Sequence, residues 1–274
     1  MLRERRFELS PNGDAALDIR FSAAPGEQLS EAIIALSEAI EAESFPAVTE
    51  LVPAYQCLTV CFDPLQLSHS GSGSADLPKL ESSLATLTQK ILAQTLRTNK
   101  KNTDEENTDN EPPEYKRTLI RIPVCYDEQF APDIQTLCSH TGLTAAEIIA
   151  RHTAPRYLVH MLGFTPGFLY LGGLDEQLHC PRKARPELKI AAGSVGIGGG
   201  QTGIYPQATP GGWQIIGRTP LALFRPDQDP PFIAHPLDRI QFVAISPEQF
   251  TQTDPFSAPD TIPLTEFAAP EVRR

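Results

Sequence analysis

Residues 163–224, GFTPGFLYLGGLDEQLHCPRKARPELKIAAGSVGIGGGQTGIYPQATPGGWQIIGRTPLALF, decide what this chain can be. Glycine and proline stand beside aromatic and β-branched side chains, and no long helical pattern runs through the stretch. Glycine reaches backbone conformations that other residues resist, and proline fixes φ, so many backbone positions here are specified. A flexible linker shares the glycine and proline but lacks residues such as Phe168, Tyr170, Val195, Ile197 and Trp213. The stretch predicts ordered, turn-rich β structure that presents a surface.

Around it, the pattern from residue 155 onward predicts strands over 157–162, 189–197, 213–217, 221–224 and 239–245. Short strands separated by Gly/Pro turns are the texture of a closed barrel or a sandwich. The proline-bearing segment from 247 onward predicts an irregular tail. Two short helices are expected just before the barrel, near 131–140 and 144–152. Thr144 and Glu147 are spaced for a capping box, with Leu143 and Ile148 placed for a hydrophobic staple. The second helix ends in Arg151 and His152, cations suited to its negative end.

The N-terminal part alternates strand and helix signals. Strands are expected over 3–9 and 15–21, joined by the turn-prone Pro11-Asn12-Gly13-Asp14. Leu29, Ile33, Leu36 and Ile40 recur at helical spacing. Residues 47–52 and 56–63 read as strands, with Leu58, Val60 and Phe62 alternating with Cys57, Thr59 and Cys61. Leu77, Leu80, Leu84, Leu87 and Ile91 predict a second amphipathic helix. A strand at 118–124 is expected to close a ferredoxin-like βαββαβ sandwich with an added N-terminal strand. Residues 97–117 are almost devoid of apolar side chains and predict a mobile acidic loop; 69–76 reads as a second flexible connection. The expected domains are 1–125, two connecting helices at 126–154, a barrel at 155–250 and a tail at 251–274.

The chain has 274 residues, 41% hydrophobic and 21% charged, enough for a real core. Its net charge of −11 without a basic stripe speaks against nucleic-acid binding. The start, MLRERRFELS, lacks an apolar signal core, and no 18-residue apolar run occurs. The five widely spaced cysteines do not make a disulfide framework or a zinc set and read as buried small hydrophobes. A reduced, cytoplasmic protein is the expectation.

The cluster Gly193, Gly196, Gly198, Gly199, Gly200 and Gly203 invites a nucleotide reading. No Gly-Lys-Ser/Thr follows it and no amphipathic helix begins after it, so it reads as barrel turns. Gln201, Thr202 and Tyr205 follow directly, and either contact a small ligand bearing a carbonyl or carboxylate or satisfy local turn amides. Arg182 and Arg218 sit beside Pro181 and Pro220 and are the cations best placed for carboxylate or phosphate. His152 reads either as a dipole partner or as a catalytic base; His160 reads as a core or edge residue. Ser194 lacks the GxSxG setting of a hydrolase nucleophile, and no metal-ligand spacing is present. No self-sufficient active site is visible, which points to a protein that completes a site with partners.

The residues Ile122-Pro123-Val124-Cys125-Tyr126, Leu162-Gly163-Phe164-Thr165-Pro166-Gly167-Phe168, Pro181-Arg182, Ala192-Gly193-Ser194-Val195, Gln201-Thr202-Gly203-Ile204-Tyr205-Pro206, Pro210-Gly211-Gly212-Trp213 and Ile216-Gly217-Arg218-Thr219 give the chain a family resemblance. It resembles the KipI / allophanate hydrolase subunit 1 family, on the branch that holds the B component of 5-oxoprolinase. The resemblance implies a small α+β N-terminal domain and a cyclophilin-like β-barrel. It implies ATP-dependent opening of 5-oxo-L-proline to L-glutamate, with ATP and magnesium as co-substrate. Homologues of the A and C components of 5-oxoprolinase are the implied partners, the C component directly. The alternatives are a KipI-like inhibitor of sensor histidine kinase autophosphorylation, or a component that processes allophanate or urea. His152, Gln201 and Tyr205 would then serve catalysis, and Arg182, Thr202 and Arg218 would bind substrate or ATP. The chain departs from the family pattern at Glu187, where Arg is usual, and at Ala191, where Pro is usual.

Overall fold

A computed structural model describes residues 6–68, 76–101 and 117–264. The chain divides into two compact units between Pro113 and Glu114.

The first unit is one antiparallel sheet with helices. Its elements are β1 (Phe7–Pro11), β2 (Ala16–Phe21), α1 (Glu27–Glu43), β3 (Val48–Pro53), β4 (Cys57–Phe62), α2 (Pro64–Ser68) and α3 (Asp76–Lys101). Leu17, Ile19 and Phe21 of β2 and Leu58, Val60 and Phe62 of β4 bury one face of the sheet, as the period-2 alternation requires. They meet Leu29, Ile33, Leu36 and Ile40 of α1 and Leu80, Leu84 and Leu87 of α3 in one core. The strand order is β1-β2-β4-β3.

Three expectations for this unit are corrected. The strand at 118–124 forms but does not close this sheet; β1 occupies the edge beside β2, delivered there by the short turn at Pro11–Asp14. The unit boundary accordingly falls before residue 114 and not after 125. The helix α3 continues to Lys101, through residues assigned to the acidic loop; the remainder of that loop, and residues 69–75, lie outside the described residues.

The second unit begins with β5 (Thr118–Cys125). α4 (Ile134–Thr141), α5 (Ala145–Thr153), β6 (Tyr157–Leu162), β7 (Leu169–Gly172) and a 3₁₀ turn at Glu176–Leu178 follow. Then come β8 (Glu187–Ile190), β9 (Ser194–Gly198), β10 (Gln201–Ile204), β11 (Thr209–Gly211), β12 (Gln214–Arg218), β13 (Arg239–Ile245), α6 (Pro247–Gln252) and β14 (Asp260–Pro263). The main sheet runs β12-β9-β10-β7-β6-β13-β5, and Arg218 opposite Cys125 joins its ends into a closed seven-stranded barrel. β8 and β11 pair as a separate ribbon. Leu119, Ile120, Ile122, Val124 and Cys125 are all buried, so β5 is covered on both faces. Such a strand belongs inside a sheet and not at an edge, which explains its place in the barrel.

The expected strand over 189–197 is two strands, because Gly193 turns the chain at φ 81°. Its would-be Cβ points at the Thr219 carbonyl, so only glycine fits. Residues 221–224 form no strand, only a bridge between Phe224 and Phe232. The tail is more regular than expected: Ser246 and Gln249 build a capping box on α6, and β14 pairs antiparallel with β5. The expected capping box on α5 is present: Thr144 accepts from the Glu147 amide, and Glu147 accepts from the Thr144 amide at 2.8 Å. Among the described residues no helix is long and apolar enough to cross a membrane.

The cap gives a direct test. Thr144→Ala should lower unfolding stability by about 1 kcal/mol in urea melts, with the barrel otherwise intact. An unchanged midpoint would mean that α5 does not depend on its cap.

Candidate functional site

The glycines of β9 and β10 alternate with barrel-filling residues. Val195, Ile197 and Ile204 point inward and are fully buried in the barrel core. Gly196, Gly198 and Gly203 therefore share the outward face, and Trp213 packs on all three, joined by Ile215 at Gly196 and by Phe168 at Gly203. A Cβ at Gly196 would lie 3.2 Å from the Trp213 Cβ, and one at Gly203 would lie 3.1 Å from its Cζ3. At Gly198 it would collide with the indole itself. These glycines are a cradle for an aromatic ring, and the expectation that they serve only as turns is corrected. Gly199, with φ 66°, is the one that turns the β9–β10 hairpin.

Trp213 heads a small outer cluster with Phe168, Ile190, Tyr205 and Ile215. Its rings meet edge to face: Phe168 and Trp213 at 5.7 Å and 72°, Tyr205 and Trp213 at 6.1 Å and 75°. This geometry aims ring edges at ring faces, the favoured arrangement of aromatic quadrupoles. Phe164 adds an exposed ring, 65% accessible, edge-on to Phe168 at 5.6 Å. It stands at φ 67°, a conformation costly for a bulky side chain.

Arg182 places its guanidinium 5.8 Å from the Trp213 ring centre, a cation–π contact. Its loop is pinned by the Gln214 side chain donating to the Pro181 carbonyl at 3.0 Å and by the Lys183 amide donating to Gly212 at 2.7 Å. Lys183 is committed to Asp133, at 2.6 Å, and to Glu187. The carboxylate at 187, where the family usually has Arg, is thus ion-paired within the chain, sharing the Lys183 ammonium with Asp133. Tyr205 is buried, and burial raises its phenol pKa against the lowering influence of the Trp213 amide, Arg182 and Lys183. Alternation along β10 puts Gln201 on the same outward face as Gly203. His179 covers Gly200 at the hairpin turn, beside this group.

The other expected site residues go elsewhere. Thr202 faces the barrel interior, where it meets His152; both are wholly buried. The Tyr126 hydroxyl lies 2.8 Å from His152 Nδ1, and His152 Nε2 lies 2.8 Å from Thr202 Oγ1. Thr202 donates to the Gly196 carbonyl at 3.1 Å, so it must accept from the imidazole. The line therefore reads Tyr126 O–H to Nδ1, Nε2–H to Thr202, Thr202 O–H to Gly196, which fixes a neutral Nε2–H tautomer. Phe242 stacks on the ring at 4.5 Å and 14°. Burial pushes the His152 pKa down to about 3. His152 and Thr202 thus span the barrel core as a hydrogen-bonded tie, wholly buried and on the opposite side of the wall from Arg182. Arg218 lies at the far end of β12, with its Nε donating to the Ala192 carbonyl at 2.8 Å and its guanidinium over Phe250 at 5.9 Å. It is held apart from the Arg182 group. Among the described residues no group of three or more His, Cys, Asp or Glu side chains could hold a metal ion.

The sequence reading missed Trp213, Phe168 and His179 as site components. The signal was available for Trp213: in Gly196-Ile197-Gly198 and Gly203-Ile204 every outward position lacks a side chain, which calls for a large flat residue from elsewhere.

Residues 7–234 match the carboxyltransferase domain, subdomain C and D, family model. The chain belongs to this family. It is 38% identical to the B component of 5-oxoprolinase from Bacillus subtilis (strain 168), over 89% of this chain and 95% of that one. It superposes on the crystal structure of TTHA0988 with a TM-score of 0.64 at 32% identity, covering 84% of this chain and 40% of the other. The chain thus spans less than half of that longer protein. It shares its fold with part of the Kluyveromyces lactis urea carboxylase, at 16% identity, TM-score 0.67, and 93% and 24% coverage.

Two outcomes follow from this site. Gly198→Val should displace the indole, and because Trp213 is the only tryptophan, its emission should shift to the red while the circular dichroism stays native. An unshifted spectrum would mean that the ring does not rest on the hairpin. For His152, the folded chain stays neutral between about 3 and the ordinary value of 6.5, whereas the unfolded chain takes up a proton there. This contribution to stability is complete above pH 6.5 and lost on acidification, at up to about 1.4 kcal/mol per pH unit. Urea melts between pH 4 and 7 should show this slope in the wild type and a flatter one in His152→Gln.

Proposed function

We propose that this chain is the B component of an ATP-dependent 5-oxoprolinase, opening 5-oxo-L-proline to L-glutamate together with homologues of the A and C components. One observation carries the reading: a rigid outward face in which Arg182, Tyr205 and Gln201 surround an aromatic platform, on a chain similar over nearly its whole length to the B component of a 5-oxoprolinase.

The chemistry explains why such a face is useful and why it is incomplete. A five-membered lactam is a resonance-stabilised amide and a poor electrophile. Transfer of the ATP γ-phosphoryl group to the lactam oxygen, releasing ADP, leaves a carbon that water can attack. Collapse of that adduct breaks the ring C–N bond and leaves γ-glutamyl phosphate, which a second water hydrolyses to glutamate and phosphate. Such a path needs a cation for the substrate carboxylate or the phosphoryl group, and hydrogen-bond donors for the oxygen that gains charge. Arg182 supplies the first, and the Tyr205 phenol and Gln201 amide supply donors. Tyr205, protonated because burial raises its pKa, donates throughout the physiological range. The indole is itself buried, 6% exposed, and holds these groups from beneath. The face provides one wall, and the remaining groups, with magnesium-bound ATP, come with the partner components.

The test is reconstitution. The chain mixed with its A-component and C-component homologues, ATP, magnesium and 5-oxoproline should release glutamate. Tyr205→Phe and Gln201→Ala should each lower turnover by about tenfold or more, as loss of a transition-state hydrogen bond does, with melting temperature unchanged. Absence of glutamate from an assembled complex would overturn the assignment; wild-type turnover in both variants would remove those residues from the site.

A further inference from the structure

The outward face of the barrel continues past the β9–β10 hairpin onto β7 and β6. Leu169 and Leu171 point into the barrel core, so Tyr170 and Gly172 of β7 point outward. Thr202 pairs with Leu171 across the β7–β10 ladder. One step along that ladder Gly172 stands opposite Gln201, and on its other side Gln201 pairs with Gly198 of β9. Gly172, Gln201 and Gly198 thus form a row across three strands, with the Gln201 side chain between two glycines. A ring lies on each glycine. The Trp213 indole covers Gly198, and the His160 imidazole covers Gly172, with Nε2 and Cδ2 where a Cβ would stand.

A bulge in β6 delivers this imidazole. Val159 pairs with Leu171 and Met161 with Tyr170, which leaves His160 as the extra residue between them. Such a bulge re-aims a side chain. Here the imidazole leans over β7 onto Gly172, where the missing side chain leaves room. Directly opposed Cβ positions on neighbouring strands are about 5 Å apart, so Nε2 lies about that far from the Gln201 Cβ. His160 is half-buried, so part of its ring is open to a ligand on this face. Tyr170 beside it packs edge to face on Phe168 at 4.9 Å and links it to the Trp213 cluster.

Opening a phosphorylated lactam requires proton transfer. The ring nitrogen carries one hydrogen before water attacks and three when it leaves as an ammonium; both additional protons come from the water. Arg182 and the Gln201 amide neither gain nor lose protons, and burial holds the Tyr205 phenol protonated. An imidazole gains and loses one near neutrality.

We propose that His160 is a catalytic residue of this face and carries the water's protons to the ring nitrogen. This rests on the function proposed above. Neutral Nε2 takes a proton from water as the water oxygen bonds to the ring carbon and the C=N electron pair returns to nitrogen. The imidazolium gives that proton to the ring nitrogen as the C–N bond breaks and its electron pair stays on nitrogen. The new hydroxyl becomes the carbonyl of γ-glutamyl phosphate and passes its proton to the imidazole, which hands it to the freed amine.

Rapid-quench analysis of the reconstituted complex tests the proposal. His160→Ala should form its first ADP at the wild-type rate, because phosphoryl transfer precedes the proton steps. It should release glutamate at least about a hundredfold more slowly, as loss of a general acid–base group does. Free imidazole should restore glutamate release to His160→Ala and leave the wild type unchanged. His160→Gln, which keeps Gly172 covered, should be equally slow and should not respond to imidazole. Circular dichroism and melting temperature should match the wild type in His160→Gln. Wild-type glutamate release in either variant overturns the proposal, as does a slow His160→Ala that imidazole leaves slow. A first ADP slowed as much as glutamate would place His160 in substrate binding and overturn it too. A wild-type complex that releases no glutamate overturns the function itself, and the proposal with it.

Discussion

The contact between the Trp213 indole and the glycine face of the β9–β10 hairpin organises the second unit. Three outward positions without side chains let an aromatic ring lie against the barrel wall, and the inward positions between them carry the β-branched residues of the core. One hairpin thus serves two packing layers. The ring in turn positions Tyr205, Phe168 and Arg182, so the polar groups of the outer face are held by aromatic packing on a rigid strand pair. A site built this way is set before any ligand arrives, which is what preorganised stabilisation of a developing charge requires.

Inside the barrel, the line Tyr126–His152–Thr202–Gly196 ties α5 to β10, the same strand whose outer face bears the platform. Every donor and acceptor along it has a partner, which is the condition under which a buried polar group is tolerated. The neutrality of His152 follows from that sealing. Acid should therefore loosen the barrel from within and not by titrating the outer face.

Much of this was legible in the chain. Period-2 and 3.6-residue patterns marked β2, β4, α1 and the start of α3, because each buries a single face against one core. The capping box at Thr144 was readable because it is local in sequence. Strand partners were not: β5 reads as a strand anywhere, and only its burial on both faces places it in the barrel. Short strands such as β7 and β10 escaped because Gly-rich β structure carries little pattern of its own. Among the expected site residues, Tyr205 and Arg182 both pack on Trp213, and strand alternation puts Gln201 on the outward side of the same hairpin. His152 and Thr202 were each singled out, but neither their contact with each other nor their side of the wall was legible, since one residue of register separates a ligand-facing side chain from a core one. Glu187, a departure from the family pattern, is ion-paired with Lys183, four residues before it in sequence.

In the proposed function, the face that Trp213 holds from beneath is where the substrate and the partner proteins meet. Because the chain has a single tryptophan, 5-fluorotryptophan labelling gives one ¹⁹F resonance from the platform itself. Addition of the unlabelled A-component and C-component homologues with ATP, magnesium and 5-oxoproline should move that resonance. A resonance unmoved in the assembled, turning-over complex would contradict the account.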